Sequence, residues 1–115
     1  MICVNLDTTP TLLVEAISPY NVAVINLIVV NYGDTPASFT IYAVPHGKSL
    51  PEFDSNGNLV SGNLETHLLV DQKIQPKDTI FFNFEKFLLH GGDALYAKKN
   101  SDTDQIAIHV VYETY

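Results

Sequence analysis

The segment Asp54-Ser55-Asn56-Gly57-Asn58 is the one whose residue types come nearest to a metal-binding loop. A helix-flanked calcium loop places its glycine sixth and a glutamate twelfth. Counted from Asp54, Gly57 is fourth and Glu65 is twelfth. The glycine is misplaced and no helical pattern flanks it, so Asn56-Gly57 reads as the tip of a type I′ hairpin. Asp102 and Asp104, with Asp93, are a second acidic group. Loop carboxylates of this kind read as solvated side chains. The histidines His46, His67, His90 and His109 show no metal-ligand spacing. Strand alternation puts His67 and His109 on polar faces, where they meet only if their strands are neighbours.

Nucleophilic chemistry finds no foothold. The chain lacks a Gly-x-Ser-x-Gly elbow, and nothing beside Cys3 activates its thiol. Cys3 reads as a small buried or terminal hydrophobe. The acidic residues cluster at turns, and a domain this small leaves little room for a deep cleft between paired carboxylates. Gly91-Gly92 precedes Asp93, which repels an anion, so it reads as a tight turn rather than an anion nest. No catalytic, cofactor-binding or metal-binding residue is predicted, and the expectation is a non-enzyme. Among the aromatics, Phe39, Phe82 and Phe84 fit core positions. Tyr32, Tyr42, Phe81 and Tyr96 are candidates for an exposed or interface face. Tyr112 and Tyr115 fit a cap on the core at a strand end, and the lack of tryptophan weakens a sugar platform.

Composition narrows the classes further. The 115 residues read as one domain, 1–115, with 46% hydrophobic and only 17% charged residues. That charged fraction lies below the average of about 25%, which suits a surface partly hidden in an assembly. The net charge is −7, with six lysines and no arginine. Without the arginine fork, and with an acidic balance, nucleic acid and anionic membrane surfaces are disfavoured as partners. A single cysteine excludes an intrachain disulfide. The opening Met1-Ile2-Cys3-Val4-Asn5 lacks a basic segment and an uninterrupted apolar segment, which predicts synthesis in the cytoplasm without a signal peptide. Asn26 interrupts the longest apolar run and Asn31 ends it, well short of the ~20 residues of a membrane span.

The elements that would position these residues are strands. Val22 to Asn31 is the strongest: Val22, Val24, Ile28 and Val30 on one face, Ala23, Ile25, Leu27 and Val29 on the other. A two-layer sandwich needs only one apolar face, so a second covering surface is expected, from this chain or another subunit. Further runs are Thr11–Ile17, Ala37–Val44, Leu64–Val70, Thr79–Phe84, Ala94–Lys98 and Gln105–Tyr112. Within them Leu64, Leu68 and Val70 are expected inward, with Ile80, Phe82 and Phe84, and with Ile106, Ile108, Val110 and Tyr112. Leu13 and Ile17 are assigned to one face of the first run, opposite Leu12, Val14 and Ala16. Residues 1–21 read as an N-terminal arm or edge strand, and 46–63 as an irregular loop or small hairpin. About seven to eight antiparallel strands separated by Pro, Gly, Asn and Asp clusters predict an all-β sandwich, jelly-roll or immunoglobulin-like.

Several pieces together resemble the small β-sandwich virion structural proteins of tailed bacteriophages. An apolar strand ends in Asn31, a turn carries Asp34-Thr35-Pro36, and an alternating strand, Phe39 to Val44, runs into Pro45-His46-Gly47. A strand, a Gly-Asp turn and a strand follow in Phe87 to Ala97, and the alternating segment Gln105 to Glu113 closes the pattern. The resemblance covers residues 22–113. It implies a non-enzymatic subunit located in the virion, of the capsid-decoration, head-fibre or neck-tail type. Its implied partners are copies of itself, with a trimer suggested by local threefold sites, and the major capsid protein or another virion protein. The competing expectation is a carbohydrate-binding or receptor-binding module using exposed tyrosines and the 46–63 loop.

Overall fold

The structure, a computed structural model, describes the backbone of residues 1–115 and the side chains of all but residues 84–86. In chain order the strands are β1 (Ile2–Asn5), β2 (Thr11–Glu15), β3 (Val22–Asn31), β4 (Ala37–Val44), β5 (Glu52–Phe53) and β6 (Leu59–Ser61). A short 3-10 turn (Leu64–Thr66) leads into β7 (His67–Ile74), β8 (Thr79–Leu89), β9 (Ala94–Lys99) and β10 (Ile106–Thr114).

Eight of these form two four-stranded antiparallel sheets. The first has the order β1-β10-β3-β8 and the second β2-β9-β4-β7. Strands β5 and β6 pair only with each other. The first strand thus pairs with the last, the second with the last but one, and so on inward to the β5–β6 hairpin. This nesting, with successive strands alternating between sheets, is the connectivity of a jelly roll. It decides against the immunoglobulin-like order, which divides its strands as ABED and CFG.

The core lies between the sheets. Leu27, Val29, Phe39, Ile41, Leu95 and Ile108 are among its fully buried side chains. They come from the central strands β10, β3, β9 and β4, where both flanks are paired and apolar β-branched or aromatic residues fit best. Asn31 is a buried polar residue at the end of β3. Its amide nitrogen donates to Thr35 O (2.9 Å) and Ile74 O (3.2 Å), and its Oδ1 accepts from the Gly33 N–H (3.0 Å). One side chain therefore satisfies the turn at 32–36 and ties β3 to the end of β7 in the other sheet.

The expected spans of β3 and β4 agree with the structure, and Ile106, Ile108, Val110 and Tyr112 face inward as expected. Bulges correct several other faces, because one extra residue reverses strand parity. Ile25 is the extra residue of β3 against β10. The inward set is therefore Val22, Val24, Leu27, Val29 and Asn31, whereas unbroken alternation groups Val22 and Val24 with Ile28 and Val30. Leu13 is extra in β2 against β9, so Leu13 and Val14 are both buried while Leu12 and Ile17 are exposed. Strand β7 carries two irregularities against β4. Leu64, Leu68 and Val70, expected inward, are exposed, and Leu69 packs on the core in their place. Residues 64–66 are the 3-10 turn rather than the start of the strand. Ile80 and Phe82 pack on the core as expected, whereas the expectation for Phe84 lies outside the described side chains. The N-terminal segment contributes two edge strands, and the 46–63 excursion contains the small hairpin.

The tip of that hairpin differs from the expected type I′ turn, which needs positive φ at both central residues. Here Gly57 has φ of 82°, but Asn56 is not among the positive-φ residues. Gly57 N donates to Asp54 O (3.0 Å), and Asp54 N donates to Asn58 O (2.9 Å). The four-residue turn from Asp54 ends on left-handed Gly57, which makes it the longer hairpin loop that glycine permits at this position.

Candidate interaction surface

Three of the four acids singled out in the sequence, Asp54, Asp93 and Asp104, accept backbone N–H groups. Asp54 Oδ1 accepts from the N–H groups of Asn56 and Asn58, both at 2.9 Å, which holds the hairpin tip. Asp93 accepts from His46 N–H (2.8 Å) with one oxygen and from His90 N–H (3.0 Å) with the other. It thereby pins two loops at one end of the sandwich. Asp104 is buried, and its Oδ2 accepts from Ser38 N–H (3.3 Å). Asp102 contributes its carbonyl oxygen to Lys99 Nζ (3.2 Å). His67 and His109 stand on different sheets and do not meet. Among the described residues, no three His, Cys, Asp or Glu side chains converge as ligands for a metal ion.

Cys3 is exposed, which leaves the terminal rather than the buried form of the expectation for it. Its Sγ lies 3.7 Å from His109 Nε2, a pairing across 106 positions that no local motif could have revealed. The two residues are register partners on β1 and β10, in the open on the outer face of the first sheet.

That face is the most distinctive surface of the molecule. The register puts Ile28 of β3 between Phe81 of β8 and His109 of β10, Val30 between Thr79 and Ala107, and Asn26 between Asn83 and Val111. Phe81 is 65% exposed, and Leu88 further along β8 is exposed as well. Among the described residues that the register places on this face, only Glu113 carries a formal charge. Exposed apolar residues scattered singly are ordinary, whereas Ile28, Val30, Phe81, Ala107 and Val111 lie close together on this face, interleaved with His109, Asn26 and Thr79. With the sequence so poor in charge, the apolar residues on the second face of β3 were the signal for it.

The outer face of the second sheet is built otherwise. Asn100 Nδ2 donates to Asp71 Oδ1 (2.6 Å) and Ser38 Oγ (3.0 Å), and Thr40 Oγ1 donates to Asn100 Oδ1 (3.2 Å). The Asp71 N–H donates back to Thr40 Oγ1 (3.2 Å). This network holds the β7 bulge, where Asp71 adopts φ of 50°, a left-handed conformation that aspartate tolerates better than most residues. Tyr42, expected on an exposed face, is only 3% exposed, because the His67 ring lies against it with centroids 4.9 Å apart. Burial, and then the nearby Asp71 carboxylate, raise the Tyr42 hydroxyl above its ordinary pKa of 10.0. Glu65, at the 3-10 turn, is held below the ordinary carboxylate value by its own backbone N–H and by Lys48, 3.3 Å away. Tyr32 is exposed and Tyr96 half-buried.

Two grooves open between the sheets. One, about 320 Å3, is lined by Leu27, Ile41, Leu68, Leu69, Phe82 and Phe87 and is almost wholly hydrocarbon. The other, about 420 Å3, lies near the start of β3 and includes Glu15, Ile17, Tyr20 and Tyr112 in its lining.

Comparison with protein-family models, with curated protein sequences and with solved structures finds no match to this chain.

Proposed function

We propose that this protein is a non-enzymatic assembly subunit that works by burying the outer face of its first sheet against another subunit. The most specific form of the proposal is a virion structural protein of a tailed bacteriophage, of the capsid-decoration or head-fibre type. The observation that carries the assembly reading is the charge-poor face around Ile28, Val30 and Phe81, where Glu113 is the one formal charge among the described residues. The resemblance of residues 22–113 to phage sandwich proteins supports the narrower form, and a jelly roll is compatible with it.

Electrostatics favour a second copy as occupant. A chain of net charge −7 repels itself, and self-contact is least opposed on the face where Glu113 is the one acid among the described residues. Area sets the strength. Four strands about 4.8 Å apart and roughly 30 Å long give about 550 Å2 per copy, near the lower bound for a stable interface between two copies. Association through this face alone is therefore concentration-dependent, and contacts to a shell would reinforce it by multivalency.

Light scattering on a size-exclusion column tests this across a concentration series. A mass of two or three copies that falls to one on dilution supports the reading. A constant single-copy mass, with glycan binding on an array, would favour a carbohydrate-binding module instead. Mass spectrometry of purified virions tests the phage assignment directly.

A further inference from the structure

We infer that Cys3 and His109 are half of a zinc site, and that a second copy of this chain supplies the other half across the outer face of the first sheet. The inference rests on self-association through that face, and it adds the ion that fixes how the copies meet. Cys3 and His109 are direct register partners on β1 and β10. Their neighbours Ile2, Val4, Ile108 and Val110 pack on the core, so both side chains stand outward. Cys3 Sγ lies 3.7 Å from His109 Nε2. Zinc binds thiolate sulfur at ~2.3 Å and imidazole nitrogen at ~2.0–2.1 Å, and at the tetrahedral angle these bonds set sulfur and nitrogen about 3.6 Å apart. The pair therefore already has the separation of two ligands on one ion. An ion entering between them displaces the thiol proton to solvent and forms Zn–S and Zn–N bonds, with no change of oxidation state. A sulfur and nitrogen pair also selects the ion, since magnesium and calcium take oxygen ligands.

One chain stops at two ligands. Among the described residues, no third His, Cys, Asp or Glu joins the pair. Glu113 lies four positions along β10 from His109, roughly 13 Å away at ~3.3 Å per residue. A structural zinc takes four ligands, which leaves two positions for another molecule. A second copy fits them by symmetry. Cys3, His109, Ile28 and Phe81 stand side by side in one row across the sheet. A twofold axis laid along that row sets each residue against its own copy. Phe81 then meets Phe81, Ile28 meets Ile28, and the two Cys3 and His109 pairs surround one point. Sheets stacked face to face lie ~10 Å apart, so that point is about 5 Å above each backbone, within reach of a cysteine sulfur plus one metal bond. Two thiolates neutralise the doubly charged ion, so the contact buries no net charge.

The test is light scattering on the full chain, kept reduced with a phosphine, across a concentration series with and without zinc chloride. Zinc should lower the dissociation constant of a two-copy species by roughly tenfold or more, and magnesium chloride should leave it unchanged. A cobalt(II) titration should end at one ion per two chains, with the intense visible bands of a four-coordinate ion and a thiolate-to-metal band in the near ultraviolet. Cys3→Ser and His109→Gln should each lose the response to zinc, whereas His90→Gln should keep it. Two ligands alone hold zinc weakly, so the dilute single chain melts alike with and without a chelator, and the effect belongs to association. Self-association that zinc leaves unchanged overturns the inference and spares the assembly reading. Single copies under both conditions overturn both. One cobalt per unpaired chain, a three-copy mass in zinc, or a full zinc response in Cys3→Ser would each overturn the shared site.

Discussion

The two outer faces of this sandwich are made from similar strands and solve opposite problems. On the second sheet, Ser38, Thr40, Asp71 and Asn100 are bonded to one another, and Tyr42 is covered by His67 from the same chain. On the first sheet, Ile28, Val30 and Phe81 form an apolar surface with almost no charge. One face is tied together by its own side chains, and the other is the face that the proposal assigns to a partner surface. Low overall charge is therefore not spread evenly. Lys73, Lys98, Asp71 and Glu15 lie on the second sheet, whereas among the described outward residues of the first sheet Glu113 is the one formal charge and Asn26, Thr79, Asn83 and His109 are among its polar members.

The comparison can be broken most directly at Phe81. Phe81→Asp places a charge in the apolar face and should weaken self-association at least 100-fold, about 2.7 kcal/mol, by light scattering on dilution. Lys98→Asp on the other sheet should leave the association constant within threefold. Equal effects would erase the distinction between the faces. Next in size is Asn100→Ala, which removes the centre of the polar network. It should cost about 2 kcal/mol in urea unfolding, since it strands partners at Ser38, Thr40 and Asp71. A smaller effect is confined to alkaline solution. The Tyr42 hydroxyl has a folded pKa above 10.0, so the native state retains its proton after the unfolded chain has lost it. Its contribution is complete below pH 10.0 and is lost as pH rises through the higher folded value. Urea midpoints at pH 9 and pH 11 should fall less in Tyr42→Phe than in the parent. Smallest of all, EDTA should leave the melting temperature unchanged, because Asp54 and Asp93 hold backbone N–H groups.

The strands with uninterrupted alternation and clear turn residues at both ends were legible in the sequence. Gly33 and Pro36 bracket the β3–β4 turn, and β10 keeps strict parity from Ile106 to Val110. Parity failed at Ile25, Leu13 and the β7 irregularities, because a bulge is decided by the partner strand and leaves no mark in local composition. The exposure of Phe81 was readable from the apolar excess on its side of the sheet. The burial of Tyr42 was not, since it depends on His67 arriving from 25 positions away. The proximity of Cys3 and His109 is likewise a product of topology alone.

Nested pairing also orders events in time. Joining β1 to β10 in an open chain closes a loop of about 100 residues, roughly 3 kcal/mol costlier in entropy than closing a hairpin of five. Starting from the β5–β6 tip, each later pairing closes only a short extension of what already stands. The productive route therefore runs from the middle of the chain outward, and it is slow, on the millisecond-to-second scale of topologies dominated by distant contacts. During synthesis on the ribosome, β1 emerges first and finds its partner last. Its two inward side chains, Ile2 and Val4, keep the unpaired interval from exposing a long sticky segment.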